Sequence, residues 1–383
     1  MKPLSWIRQS VPASQIREVM ELALTMEDVL HLEVGTPNYS TPGHVLEAAN
    51  RAMQEGFTRY TANAGFPSLR QAIAEKIRRT NHFEAQAENV LVTAGSGQGL
   101  LLLFMALADA GEEILIPDPA WANYEMALLS QQIIPQRYPL RPENGYLPDI
   151  DELHRLVTPA TKALLINSPS NPTGAVFPRS VLLELYEFAQ AHDLYLISDE
   201  TYEQIVFEGQ HCSPAQFDTD GRVISVYSFS KGYAMTGWRI GYLVAPVELI
   251  RLMTVLQEPM VSCACSVSQK AAEAALTGPQ EVVHSMVASY RQRRDAAVEL
   301  VRAHGLPVHK PAGAFYMLVD ISSAAVQSRA FALSLLQRKR VAVAPGSAFG
   351  EVAAQTVRVC LAVEEKALME GLERLCHYLI EAG

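Results

Sequence analysis

Six apolar runs recur through the middle of the chain: "NVLVTAG", "EILIPDP", "KALLINSPSNP", "LYLISDE", "VISVYS" and "RIGYLVA". Helical patterns such as "GQGLLLLFMALADAG" and "RSVLLELYEFAQAH" separate most of them. Strands alternating with helices predict an α/β fold around a mostly parallel sheet. Near-continuous apolarity within the runs places cover on both sheet faces. One interval breaks the rhythm. "VISVYS" ends near Ser228 and "RIGYLVA" begins near Arg239, whereas a parallel crossover needs about a dozen residues or more and usually a helix. The sheet therefore carries one antiparallel strand.

After Ser266 the pattern changes. Residues 280–304 read as one long helix, with an apolar stripe of Val283, Met286, Val287, Tyr290 and Ala297 and with Gly305 at its C-terminal end. Short strand patterns and helices follow: "GAFYMLVDI", "RAFALSLLQRKRVAVAPG", "TVRVCLAV" and "EEKALMEGLERLCHYLIEAG". This is a second, smaller α+β lobe. The N-terminal segment is expected to join it, because Glu21 to Leu32 reads as helix then strand before the central sheet begins. At 383 residues two lobes are the natural expectation. The expected division is an arm of residues 1–42, a large domain of 43–285 and a small domain of 286–383.

Composition excludes several partners. The net charge of −10 speaks against nucleic acid, since phosphate binding needs clustered Lys and Arg. No apolar run reaches the roughly 20 residues of a membrane helix. The N-terminus has no apolar signal core, which reads as cytoplasmic. The five cysteines are odd in number and lack metal-ligand spacing. Cys263 and Cys265 are too close for a simple bridge, so reduced thiols and no metal centre are expected.

The strand ends hold the chemistry. "NVLVT" leads into "AGSGQG", "KALLI" into "NSPSNPTG", "LYLIS" into Asp199, Glu200 and Tyr202, and "VISVY" into Ser228 and Lys231. Ligands of open α/β sheets bind beyond the carboxyl ends of strands. The glycine-rich turn Gly95, Ser96, Gly97 and Gln98 can present N–H groups to an anion at a helix N-terminus. It lacks a Walker ending and a full dinucleotide fingerprint; alone it is equally a plain tight turn. Ser228 and Arg239 flank Lys231 and could complete a phosphate cradle, Arg through its planar fork. Taken singly, Arg239 reads first as a surface ion pair, worth up to about 1 kcal/mol. Asp199 is either a cap or a carboxylate facing a cationic ring nitrogen, Asn171 a turn residue or a donor. Tyr202, three residues after Asp199, has the spacing of one helical face. Together these groups describe one ligand: a phosphate, an aldehyde for an amine, a ring oxygen needing donors and a ring nitrogen needing a carboxylate. That ligand is pyridoxal 5′-phosphate.

Over essentially its whole length the chain resembles the fold-type-I, pyridoxal-phosphate-dependent class I/II aminotransferases. "NSPSNPTGAV", "SDETYEQIVFEG" and "SFSKGYAMTGWRIGY" stand in family order, supported by "RYTANAGFPSLRQAIA", "PDPAWANYE", "PAGAFY" and "TVRVCLA". The resemblance implies a central, mostly parallel seven-stranded sheet flanked by helices. It implies that Lys231 carries the internal aldimine, that Asp199 pairs with the pyridine nitrogen, and that Asn171 and Tyr202 bond the phenolic oxygen. Gly95, Ser96, Gly97 and Gln98 would cradle the phosphate with Ser228 and Arg239. "GSGQG" departs from some relatives at its third and fourth positions, which leaves open which side chain there meets the phosphate. Trp121 would stack on the ring. Tyr60 would reach the phosphate of a neighbouring subunit, so a homodimer with shared sites is expected. Arg358 would clamp the substrate α-carboxylate, helped by Asn171 and the backbone at Gly35.

The implied activity is ping-pong transfer of an amino group between an L-α-amino acid and a 2-oxo acid, aspartate and 2-oxoglutarate being one pairing. The general pattern resembles prokaryotic-type aspartate aminotransferases. Aromatic, kynurenine or alanine types and a C–S lyase share the fold and its lysine. A regulatory domain without activity is a further alternative, opposed by the intact lysine and the acidic charge. The residue that selects the substrate side chain is not evident in the sequence. Arg8 and Trp6 are candidates, because such N-terminal arms often cover the pocket.

Overall fold

A computed structural model describes Ser5 and residues 7–382. Its strands are β1 (Leu30–His31), β2 (Val90–Thr93), β3 (Glu113–Asp118), β4 (Ile134–Pro139), β5 (Thr161–Asn167), β6 (Tyr195–Asp199), β7 (Val223–Ser228), β8 (Gly241–Val244), β9 (Tyr316–Asp320), β10 (Val341–Ala342), β11 (Ala344–Pro345) and β12 (Thr356–Cys360).

Seven of them form the central sheet in the order β2-β8-β7-β6-β5-β3-β4. The pairs β3–β4, β3–β5, β5–β6 and β6–β7 are parallel. β8 runs antiparallel to both β2 and β7. The short interval before it therefore reverses the chain, as the spacing requires. The strand starts at Gly241 rather than near Arg239, because Thr236–Trp238 forms a 3-10 turn and Arg239 sits in the left-handed region at φ 51. β4 is absent from the apolar runs. It carries Pro135, Gln136, Arg137 and Pro139 and lies at the sheet edge, where a missing N–H breaks no ladder.

Both faces of the sheet are covered. Leu91, Ile114, Ile116, Leu165, Ile197 and Leu243 pack on one side with Leu103 and Phe104 of the helix Ser96–Leu107. Val90, Val92, Tyr227, Tyr242 and Val244 face the helices Pro67–Lys76 and Ser266–Thr277 on the other. At roughly 1.5–3 kcal/mol for each fully buried large apolar side chain, these two cores set the strand ends in place.

A second body of structure holds the antiparallel sheet β11-β12-β9 and the parallel pair β1–β10. Its core gathers Leu32, Phe315, Met317, Phe331, Leu335, Val357 and Leu372, together with Val19 and Ala23 of the helix Gln15–Leu24. The helix Glu281–Ala303 enters both cores. Val283 packs beneath the central sheet, while Met286, Tyr290, Ala297 and Val301 pack in the second core. Between them the stripe passes through two buried arginines that apolar periodicity does not find. Arg293 donates to Val363 O at 2.6 Å and Arg294 to Pro311 O at 2.6 Å. Gly305, at φ +75, ends the helix by donating to Arg302 O.

Candidate active site

The carboxyl ends of β5, β6 and β7 and the turn after β2 open onto a cavity of about 840 Å³. Gly35, Ser96, Gly97, Gln98, Trp121, Asn171, Asp199, Tyr202, Ser228, Lys231, Arg239 and Arg358 all line it. The antiparallel turn after β7 explains part of this convergence. Ser228 ends β7 opposite Gly241, the first residue of β8, so Ser228 and Arg239 flank one mouth.

Lys231 stands on the short helix Phe229–Gly232, whose first turn is capped by Ser228 Oγ accepting from Ser230 N at 3.1 Å. Its Nζ donates to Gly35 O at 2.5 Å. Burial pushes this amine down to about 8; Cys360 opposes the shift, and the cations Arg358 and Arg239 add to it.

Asp199 ends β6 and is buried. Its Oδ2 accepts from the Tyr124 hydroxyl at 2.5 Å and its Oδ1 from Thr201 N at 3.0 Å. Burial raises its pKa against these two donors, and the neighbouring Glu200 raises it further. Glu200 is itself buried. Its own burial penalty is outweighed by His211 at 2.7 Å and Ser213 at 2.7 Å, which hold it below the usual carboxylate range. Glu200, Glu203 and His211 approach one another closely enough to surround an ion, but Lys76 already bonds Glu203 there.

Gly95 has φ +86, and a Cβ on it would overlap the Arg239 guanidinium. A side chain at Gly241 would meet the Ser96 amide at 2.7 Å. The turn is thus packed against the arginine and the start of β8, with the N-terminus of the helix Ser96–Leu107 facing the cavity. Gln98 Oε1 accepts from Ala94 N at 3.0 Å, while its buried Nε2 has no partner among the described residues.

Arg358 lies on β12 and is buried. Nη1 donates to Asn171 Oδ1 at 2.9 Å and Nη2 to Glu33 O at 2.6 Å. Its guanidinium lies 4.2 Å from the Tyr316 ring and 4.8 Å from the Phe349 ring. Tyr202 sits in a turn rather than on a helix, so its three-residue spacing from Asp199 is not a shared helical face. Its hydroxyl meets that of Tyr316 at 2.8 Å.

Two side chains of this site escape sequence reasoning. Tyr124 and Tyr316 fall inside quoted stretches, "PDPAWANYE" and "PAGAFY", yet nothing local ties either hydroxyl to its partner, which lies far away in the chain. Gly95 borders the cavity without lining it, and Tyr60 is 88% exposed and stands outside it. Trp6 and the side chain of Arg8 lie outside the described residues. On the arm, the helix Gln15–Leu24 and the residue before it supply Ser14, Ile16, Arg17 and Met20 to the cavity wall instead.

Residues 27–375 match the family of aminotransferases of class I and II. The chain belongs to this family. It is 40% identical to the aspartate/prephenate aminotransferase of Thermus thermophilus over 384 residues, covering 99% of this chain and 97% of the relative. It is 38% identical to the aspartate aminotransferase of Pyrococcus horikoshii over 369 residues, covering 95% and 94%. The aspartate aminotransferase from Thermus thermophilus solved with maleate superposes with a TM-score of 0.94 at 39% identity, covering 98% of this chain and all of that one. This aminotransferase is a pyridoxal-phosphate enzyme. The cavity of the aminotransferase has the donor set this group needs: helix N–H groups with the Ser96 and Ser228 hydroxyls and Arg239 for a phosphate, an amine of lowered basicity for an aldehyde, and a buried carboxylate for a ring N–H. No helix among the described residues of the aminotransferase is long and apolar enough to cross a membrane.

Proposed function

We propose that the enzyme moves amino groups between L-α-amino acids with an acidic side chain and 2-oxo acids, using Lys231 as its proton carrier and Arg358 as its carboxylate clamp. The observation that carries this reading is the placement of Lys231 and Arg358 on one cavity wall, both tied to the segment 33–35: Lys231 to Gly35 O and Arg358 to Glu33 O. The amine and the guanidinium are thereby held in one frame, as a group that must touch an α-carbon and a group that must hold its carboxylate have to be.

Bound, the cofactor supplies an aldehyde for the amino group and a ring that draws electrons from the α-carbon. In this reading Ser96, Gly97, Gln98, Ser228 and Arg239 hold its phosphate beside the turn opened by Gly95. Asp199 keeps the ring nitrogen protonated, Trp121 covers the ring face, and Asn171 Nδ2 and the Tyr202 hydroxyl face the ring oxygen. Neutral Lys231 would take the proton from the substrate α-carbon and return it to the carbon on the other side of the amino nitrogen. Arg358 binds the α-carboxylate through the planar fork that Asn171, Tyr316 and Phe349 fix.

Arg17 supports an acidic substrate. It lines the cavity, and its guanidinium touches only Met20 Sδ, at 3.3 Å, with no carboxylate partner among the described residues. The apolar part of the same wall, from Ile16, Met20, Trp121 and Met126, favours a second reading in which aromatic side chains are also accepted. Whichever side chains are accepted, we propose that the exposed Tyr60 is offered to a second subunit in a homodimer with shared sites. The proposed division is residues 1–42, 43–285 and 286–383, with the helix Glu281–Ala303 crossing the second boundary.

The test is a screen of twenty amino acids against pyruvate, oxaloacetate and 2-oxoglutarate, with initial rates at varied concentrations of both substrates. Parallel double-reciprocal lines with aspartate or glutamate are expected. Release of pyruvate and ammonia from cystathionine without any oxo acid would instead identify a lyase.

A further inference from the structure

Outside the residues that line the cofactor cavity, a buried carboxylate joins the central sheet to the second body at the end of β3. Asp118, the last residue of β3, is 6% exposed. Its Oδ2 accepts from Glu351 N at 3.1 Å and its Oδ1 from Val352 N at 3.2 Å. Just beyond it, Ala120 N donates to Phe349 O at 2.9 Å, and Arg137 Nη1 of β4 reaches the same carbonyl at 3.4 Å. Gly350 stands between these bonds at φ +141, and a Cβ there would overlap Asp118 Oδ1. The carboxylate and the loop are therefore fitted without spare room.

This contact joins two groups of the site that share no covalent segment. Phe349 is fully buried and its ring packs against the Arg358 guanidinium. Ala120 is followed directly by Trp121, whose ring meets Tyr124 edge-on at 5.5 Å, and Tyr124 donates to Asp199. We propose that Asp118 is a positioning residue that latches the 349–352 loop to the end of β3, so that Arg358 is held at a fixed distance from Trp121 and Asp199. Arg358 takes its side contacts from Asn171 and Glu33 but its depth from Phe349, and Phe349 takes its place from the Asp118 latch. This rests on the reading of Arg358 as the carboxylate clamp.

An amide at Asp118 turns an N–H toward one of the two loop amides, so Asp118→Asn breaks half of the latch while keeping side-chain volume. The expected result is a rise of about tenfold or more in KM for the amino acid and in the Kd of an unreactive dicarboxylic acid such as succinate, with kcat within about threefold of the parent. Phe349→Leu, which leaves Asp118 intact, should raise the same two constants. A role in folding alone would lower the melting temperature and the active fraction but leave KM and the succinate Kd unchanged. That outcome in soluble, cofactor-loaded Asp118→Asn would overturn the proposal. Should that variant not fold, Phe349→Leu decides in the same way. Absence of transamination by the parent protein would be a failure of the functional reading and not of the latch, which the succinate Kd still reports.

Discussion

The Tyr124 hydroxyl donates a 2.5 Å hydrogen bond to Asp199 Oδ2, and the backbone N–H of Thr201 holds Oδ1. Both oxygens are therefore fixed in a site where burial raises the carboxyl pKa. An ionised carboxylate there needs a cation, and the ring N–H of the cofactor is the cation the reading supplies. Asp199→Asn should weaken cofactor binding by about 10- to 100-fold, the worth of one charge-assisted bond of roughly 1.5–3 kcal/mol. Fluorescence titration of cofactor-stripped protein measures this. Unchanged affinity would remove Asp199 from its role.

Lys231→Ala should fold, bind cofactor without its visible absorbance band, and lose turnover by about 10²–10⁴-fold, the range of a lost acid–base group. Spectra and single-turnover rates check it. Retention of parental activity would reject the assignment of Lys231.

The pH dependence follows from the same amine. Its folded-state value of about 8 lies below the ordinary 10.5, so Lys231 is neutral above about pH 8 and charged below. Reaction with an aldehyde needs the neutral form. Uptake of cofactor by stripped protein should therefore accelerate as pH rises, with a midpoint near 8, followed by stopped-flow absorbance. Between that value and 10.5 the unfolded chain binds more protons at this group, so the stability cost of burying the amine, full below about pH 8, falls as pH rises. A midpoint at the ordinary lysine value would contradict the burial of the amine.

Arg17→Gln should raise KM for aspartate and glutamate by roughly fivefold, the scale of an exposed ion pair, while leaving alanine and phenylalanine unaffected. Equal effects on all four donors would mean that Arg17 does not read the side chain.

A Cβ at Gly35 would overlap the Tyr316 hydroxyl. Gly35→Ala should displace that hydroxyl from Tyr202 and shift Gly35 O from Lys231, lowering kcat/KM by at least about tenfold. Wild-type kcat/KM in a folded variant would show that the segment 33–35 does not frame the site.

The groups legible in the sequence are those that a strand delivers. Asp199, Asn171, Ser228 and Lys231 follow apolar runs within a few residues, so the run marks the position and the open-sheet rule marks the direction. The antiparallel β8 was legible for a similar reason, since chain length alone forbids the crossover. Tyr316 and Tyr124 were not legible as site residues. Their partners Tyr202 and Asp199 lie 114 and 75 residues away, a distance that no local pattern spans. β4 was hidden by its prolines, which an edge strand tolerates. Arg17 is not legible as a cavity residue, because an arm read by position alone gives no depth along the cavity.

The helix Glu281–Ala303 is a mechanical link between the two cores. Over 23 residues, about 35 Å of unbroken helix, it has Val283 planted in one core and Val301 in the other. A rod anchored at both ends cannot fray from its middle, and neither core can melt without stripping one end of it. Heating should therefore give a single calorimetric transition. Cofactor loaded at the strand ends should raise the temperature of that one transition, melting β9 and β12 together with the central sheet.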